Sequence, residues 1–157
     1  MKLRRISYLV LAASAALSAC TSRPELTEAP LATLAGPNAP PLSECPTSKC
    51  LTVVVAPWCG VCHAIVPYIL ALRHYLAAKG VATRIVVGLA PLNVLRPFAV
   101  PFGLDTQLDP LPGLVPANEG VPMFVVTDYD GRLLKRVIGF PSGPTDPDKV
   151  AAALELP

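Results

Sequence analysis

The 157-residue chain is 52% hydrophobic, holds 19 prolines and five cysteines, and carries a formal net charge of only +2. That is enough apolar material for one hydrophobic core and too little chain for two, while the scattered, nearly balanced charge excludes a nucleic-acid-binding surface. An odd number of cysteines in an oxidising compartment leaves one with a use other than pairing.

Lys2, Arg4 and Arg5 precede an apolar run over residues 6–17 that is too short to span a bilayer, which is the pattern of a secretory signal. The run ends in Leu17-Ser18-Ala19-Cys20, which resembles the bacterial lipobox. The resemblance implies a lipoprotein signal peptide over 1–19 and an acylated Cys20 as the first mature residue. Each buried methylene contributes about 0.8 kcal/mol, so several acyl chains anchor a protein to a membrane without spanning it. Thr21, where an aspartate would mark inner-membrane retention, resembles the sorting pattern of outer-membrane lipoproteins facing the periplasm. Cleavage removes three of the 13 basic residues and leaves ten against 11 acidic ones.

Residues 20–44 are rich in proline, alanine, threonine and serine with no sustained apolar period, and are expected to form a tether behind Cys20. At roughly 3.1 Å per residue in extended form it reaches up to about 70 Å. Cys45 and Cys50 follow, and so close a pair in an oxidising envelope favours a structural disulfide pinning tether to domain. A relay role toward the next cysteine pair is geometrically awkward, because the intervening strand separates the two by roughly 20 Å.

The expected domain covers residues 45–157. Its first strand is the β-branched run 51–56, apolar throughout as a strand covered on both faces should be. Trp58-Cys59-Gly60-Val61-Cys62-His63 follows and opens a helix over 62–79, with Ile65, Ile69, Leu72 and Leu76 at helical spacing, a kink at Pro67 and an end at Gly80. Two cysteines three apart on a first helical turn can close a small disulfide, and the helix N-terminus stabilises a thiolate on the first. Cys59 is therefore the candidate nucleophile and Cys62 the candidate resolving thiol, which attacks a mixed disulfide on Cys59 and releases its partner.

Residues 81–89 form a second strand, and strand–helix–strand implies parallel pairing through a right-handed crossover. A proline- and leucine-rich insertion over 91–119 follows, with a short helix expected over 92–100. Residues 123–127 and 133–138 flank Asp128-Tyr129-Asp130-Gly131, a strong signal for an antiparallel hairpin. Thr145 or Asp146 is placed to cap a last helix burying Val150 and Leu154.

The order strand, Trp-Cys-x-x-Cys, kinked helix, strand, insertion, Gly120-Val121-Pro122, hairpin, helix resembles the thioredoxin-like superfamily. The resemblance implies an α/β fold with a central mixed sheet of four to five strands flanked by helices. It also implies a cis Val121–Pro122 peptide facing the dithiol, with Trp58, Gly60, Val61, Val121 and Pro122 as the client-binding surround of Cys59 and Cys62. Among such proteins, the anchor and the insertion resemble membrane-tethered TlpA-like oxidoreductases, which reduce disulfides of envelope clients and need a redox partner to reset the dithiol, but no metal or cofactor. Two departures stand out. Many cytoplasmic thioredoxins hold a buried aspartate six residues before the first cysteine, where this chain has Val53, and Gly60-Val61 is neither the pair of thioredoxins nor that of strong oxidants, so the direction of electron flow stays open.

Other chemistries fit the same letters. Cys59-Gly60-Val61-Cys62-His63 satisfies the attachment pattern of c-type haem, with His63 as iron ligand. The two thiolates also suit Cu(I) in a thioredoxin-like chaperone, and a structural zinc site lacks a second ligand pair. His63 either tunes the thiolate or faces solvent, and His74 is read as a surface residue.

Overall fold

The most continuously apolar stretch becomes the centre of the sheet. Strand β2 (Lys49–Val55) lies parallel to β3 (Ala82–Gly88) on one side and antiparallel to β5 (Met123–Asp128) on the other. The computed structural model describes residues 30–110, 119–141 and 146–157. Every β2 residue after Lys49 is buried, because both faces are covered. One face carries Leu51, Val53 and Val55, packed with Ile69, Leu72, Leu76, Val150 and Leu154. The opposite face carries Val54 in a smaller cluster with Leu42, Val86, Met123 and Val125.

The sheet has six strands, in the order β1-β4-β3-β2-β5-β6, rather than the four to five expected. The added strands are β1 (Ala32–Thr33) and β4 (Gln107–Asp109), with β6 (Leu133–Ile138) at the far edge. Segments of two and three residues are too short to show an alternating pattern, and both lie where the sequence suggested tether and unassigned insertion. Residues 30–44, expected to belong to the tether, pack on the sheet: Leu42 is only 1% exposed, and the Arg84 guanidinium donates to the carbonyls of Pro41, at 2.9 Å, and of Glu44. Burial lowers the pKa of Arg84, an effect that the nearby Glu44 partly offsets.

The expected kinked helix is two helices, α1 (Gly60–Ala64) and α2 (Val66–Ala78), separated at Ile65. Pro67 falls in the first turn of α2, where its missing N–H costs nothing, whereas one continuous helix would set its ring against the carbonyl of His63. At the other end, Gly80 adopts φ +72°, and the N–H groups of Gly80 and Val81 bond to the carbonyls of Ala77 and Leu76. That is a Schellman termination, which satisfies the last carbonyls and turns the chain into β3.

Helix α3 (Leu92–Ala99) occupies the expected place in the insertion and runs into a 3₁₀ turn at Val100–Phe102. In the β5–β6 hairpin the Asp128 side chain accepts from the N–H groups of Asp130 and Arg132. Gly131, at φ +73°, lies so close to the Ser43 carbonyl that an added Cβ would stand 2.1 Å from its oxygen. The hairpin turn and the 30–44 segment are thus in close contact. Helix α4 (Pro147–Ala153) has Asp146 at its N-cap without a side-chain cap bond; the Asp146 carboxylate instead pairs with Lys149 at 3.1 Å. Thr145, Cys20 and the signal segment lie outside the described residues. Among the described residues no helix is long and apolar enough to cross a membrane.

Candidate functional site

Strand β2 ends at Val55, and the chain turns through Ala56-Pro57-Trp58 before α1 begins. Cys59 is the N-cap of α1: its backbone is extended, at φ −89° and ψ 107°, and its sulfur accepts the N–H of Cys62 at 3.1 Å. A donor of the first helical turn is thereby aimed at Cys59 Sγ, an arrangement that stabilises negative charge there. Cys59 and Cys62 are joined as a disulfide with Cα atoms 5.2 Å apart. Cys62 is fully buried and Cys59 is 7% exposed, so an incoming thiol meets Cys59 first.

Across from the dithiol the Val121–Pro122 peptide is cis. The Val121 carbonyl oxygen lies 3.4 Å from Cys59 Sγ, and Pro122 is held by its own carbonyl, which accepts the N–H of Gly139 at 2.7 Å. Gly60 faces open space, with no atom within 4 Å of an added Cβ. Val61 is 53% exposed and Trp58 62% exposed, so both of these side chains face solvent, and of the expected surround the Val121 carbonyl is in contact with the sulfur. Val53 is completely buried, so hydrocarbon occupies the position at which many cytoplasmic thioredoxins hold an acid.

His63 is exposed at the end of the motif. Its Nε2 lies 2.7 Å from the Pro57 carbonyl oxygen, which only accepts, so this nitrogen carries the proton. The ring also packs against Phe98 of α3, with centroids 4.6 Å apart. His63 therefore closes the turn over the motif and ties it to the insertion. His74 is exposed on α2.

Three contributors escaped the sequence reading. The carbonyls of Pro57 and Leu89 hold His63 and Trp58, the latter through its Nε1–H at 3.1 Å, and Phe98 supports the histidine ring. A backbone carbonyl is offered by any residue type, so no letter in the sequence marks it. Phe98 alone carried a signal, as an aromatic residue on the one helix expected in the insertion.

Cys45 and Cys50 form a second disulfide, with Cα atoms 5.7 Å apart, at the opposite end of β2. Both residues are buried. Thr47 between them donates to the Lys49 carbonyl and accepts the N–H of Ala82, which fixes the loop to the start of β3. Among the described residues no group of three or more His, Cys, Asp or Glu side chains is placed to hold a metal ion.

No protein-family profile matches the sequence, and no curated protein is significantly similar to it. Solved structures do resemble it. A secreted disulfide oxidoreductase of Mycobacterium tuberculosis, homologous to DsbE of Escherichia coli, is 19% identical with a TM-score of 0.59 over 82% of this chain and 95% of that one. DsbF of the same organism is 23% identical, with a TM-score of 0.61 over 80% and 95% of the two chains. StoA of Bacillus subtilis is 14% identical, with a TM-score of 0.53 over 82% and 98%. At these identities the likeness establishes architecture: the chain has a thioredoxin-like fold, with its Cys-x-x-Cys pair at the N-terminus of the helix that follows the central strand.

Proposed function

We propose that the protein is a thiol–disulfide oxidoreductase of the bacterial envelope, acting on client proteins through Cys59 and Cys62. The observation that carries this reading is the N–H of Cys62 directed at Cys59 Sγ from the first turn of α1, with Cys62 buried behind it. In the reducing direction, the Cys59 thiolate attacks one sulfur of a client disulfide, and the other client sulfur leaves as a thiolate. The Cys62 thiolate then attacks Cys59 Sγ, which closes the Cys59–Cys62 disulfide and releases the second client thiolate. Two electrons pass from protein to client, and a separate redox partner must return them. The reverse sequence oxidises a client dithiol.

Trp58, Val61, the open side of Gly60 and the Val121 carbonyl form the surround on which an extended client segment rests, in the manner of a strand added to a sheet edge. That the similar M. tuberculosis protein is a secreted disulfide oxidoreductase agrees with this assignment and with an envelope location. The lipobox-like Leu17-Ser18-Ala19-Cys20 supports anchoring through Cys20 on the periplasmic face, with the outer membrane favoured over the inner by Thr21. Cys45 and Cys50 are assigned a structural role. The haem and copper readings of the motif gain nothing from the geometry: the two sulfurs bond each other, and Nε2 of His63 is engaged by Pro57.

The test is a redox titration against glutathione with alkylated cysteines counted by mass, using Cys59→Ser as control. A reversible Cys59–Cys62 couple is expected. A potential near about −270 mV makes the protein a reductant and one near about −120 mV an oxidant. Absence of any such couple, or failure of Cys62→Ser to trap mixed disulfides on Cys59, refutes the assignment.

A further inference from the structure

Trp58 is among the more exposed apolar side chains of the described residues, yet its indole is held, because Nε1–H donates to the Leu89 carbonyl at 3.1 Å. Leu89 is unusual in its own right. With φ at +63° it is one of two non-glycine residues in the left-handed region among the described residues, the other being Glu155. Glu155 follows the C-cap of α4, a place where helices commonly end left-handed. Leu89 sits instead between the end of β3 and Pro91, the N-cap of α3, where nothing in helix termination calls for that conformation and a leucine side chain disfavours it.

The surroundings fix Leu89 from two directions. Its N–H donates to the Asp109 carbonyl at 3.2 Å, and its side chain packs against both hydrophobic clusters. With N–H and side chain both committed, the left-handed backbone determines where the remaining polar group, the carbonyl, points. It points at the indole beside Cys59.

We propose that Leu89 is a positioning residue of the dithiol site: through its carbonyl it holds Trp58 as a fixed wall, and so favours exchange with polypeptide clients over small thiols. The inference rests on the oxidoreductase reading of Cys59 and Cys62. A free indole 62% exposed to solvent loses rotational freedom when a client packs against it, whereas an anchored one has lost that freedom beforehand. Ordering one such side chain alters affinity by about three- to tenfold. A small thiol reaches Cys59 Sγ without covering the indole and is affected less.

The experiment uses the oxidised full chain in detergent micelles, with two reductants compared by kcat/KM: dithiothreitol and a model polypeptide dithiol. In each case the reductant becomes a disulfide while Cys59 and Cys62 become thiols. Leu89→Ile conserves volume but is β-branched and resists the left-handed region; Leu89→Asn tolerates that region; Trp58→Phe keeps an apolar ring without the donor. The ratio of polypeptide to dithiothreitol kcat/KM is expected to fall about three- to tenfold in Leu89→Ile and in Trp58→Phe through KM. It should fall no further in the double variant, since both changes remove one hydrogen bond, and should recover in Leu89→Asn. Because Trp58 is the only tryptophan, its fluorescence anisotropy should drop in Leu89→Ile and hold in Leu89→Asn.

Effects that multiply in the double variant, an equal loss with both reductants, or unchanged anisotropy in Leu89→Ile would overturn the inference. Trp58→Phe keeps the test decisive if Leu89→Ile does not fold. Inertness of the unaltered chain toward dithiothreitol at Cys59–Cys62 would instead refute the oxidoreductase reading, and the anisotropy would still report on the wall.

Discussion

Leu42→Ala separates a tether from a structural element. Leu42 is 1% exposed and packs in the small cluster with Val54, Val86, Met123 and Val125. Truncation removes three carbon groups, about 2.4 kcal/mol at about 0.8 kcal/mol each, and adds a cavity term that depends on how far the surroundings collapse. Collapse is restricted here. Arg84 holds the carbonyls of Pro41 and Glu44 on either side of Leu42, and the Cys45–Cys50 disulfide fixes the segment just beyond. We therefore expect a loss of about 3 kcal/mol, or a fall in Tm of about 10–15 °C for a domain of this size. Urea and thermal unfolding of the chain with and without the substitution measure it. A change below about 0.5 kcal/mol would mean that residues 30–44 do not belong to the folded unit and that the burial argument fails.

Two further substitutions probe the positions on which the fold is least permissive. Gly131→Ala combines a left-handed φ of +73° with a Cβ set 2.1 Å from the Ser43 oxygen, so it should cost about 1–3 kcal/mol in unfolding measurements; a melting curve like that of the unaltered chain would show that the hairpin turn and the 30–44 segment do not meet. Val53→Asp introduces an acid where many cytoplasmic thioredoxins hold one, here at a fully buried position, and should cost about 3 kcal/mol or more at neutral pH. Burial raises the pKa of such a carboxyl above its unfolded value of about 3.9, so the unfolded state ionises first and stability falls as pH rises from about 4 toward the folded pKa. Thermal melts at pH 5 and pH 7.5 check the sign, and a loss independent of pH would refute it.

How much could be read from the letters depended on the range over which each feature is encoded. The run 51–56, the spacing of Ile69, Leu72 and Leu76 and the Asp-Gly turn are local patterns, and each became the expected strand, helix face or hairpin. The cis Val121–Pro122 peptide followed from a resemblance rather than from composition, and it faces Cys59 as that resemblance implied. The edge strands β1 and β4 were illegible because they exist only through each other and β3: Ala32 pairs with Leu108, and Val87 with Leu108. A pairing between residues so far apart in sequence leaves no periodic trace in two or three positions. The helix break was displaced for a similar reason, since Pro67 forbids a bond one turn earlier and the chain resolves this at Ile65. Leu89 was invisible, as its contribution is a carbonyl and a backbone angle.

The two cysteine pairs sit in different surroundings at the two ends of β2, and the roles proposed for them rest on that difference. Each pair sits at an end of β2, and each is largely buried, so burial alone does not tell them apart. Their surroundings do. A thiolate at Cys59 receives the N–H of Cys62 at a helix N-terminus and lies beside the open face of Gly60, so both access and charge stabilisation favour its departure from the disulfide. At the other end, Cys50 is 1% exposed and already part of the strand, paired in register with Ala82 and Thr127. No helix begins there to stabilise a thiolate on Cys50, and the threonine between the two cysteines is committed to the backbone of Lys49 and Ala82. Opening Cys45–Cys50 would leave a buried charge facing only the Thr47 hydroxyl, 3.5 Å from Cys50 Sγ and already donating to the Lys49 carbonyl, and would free the segment that carries Leu42. The proposed division of roles follows this asymmetry: the surroundings of Cys45–Cys50 favour a lasting disulfide, and those of Cys59–Cys62 favour exchange.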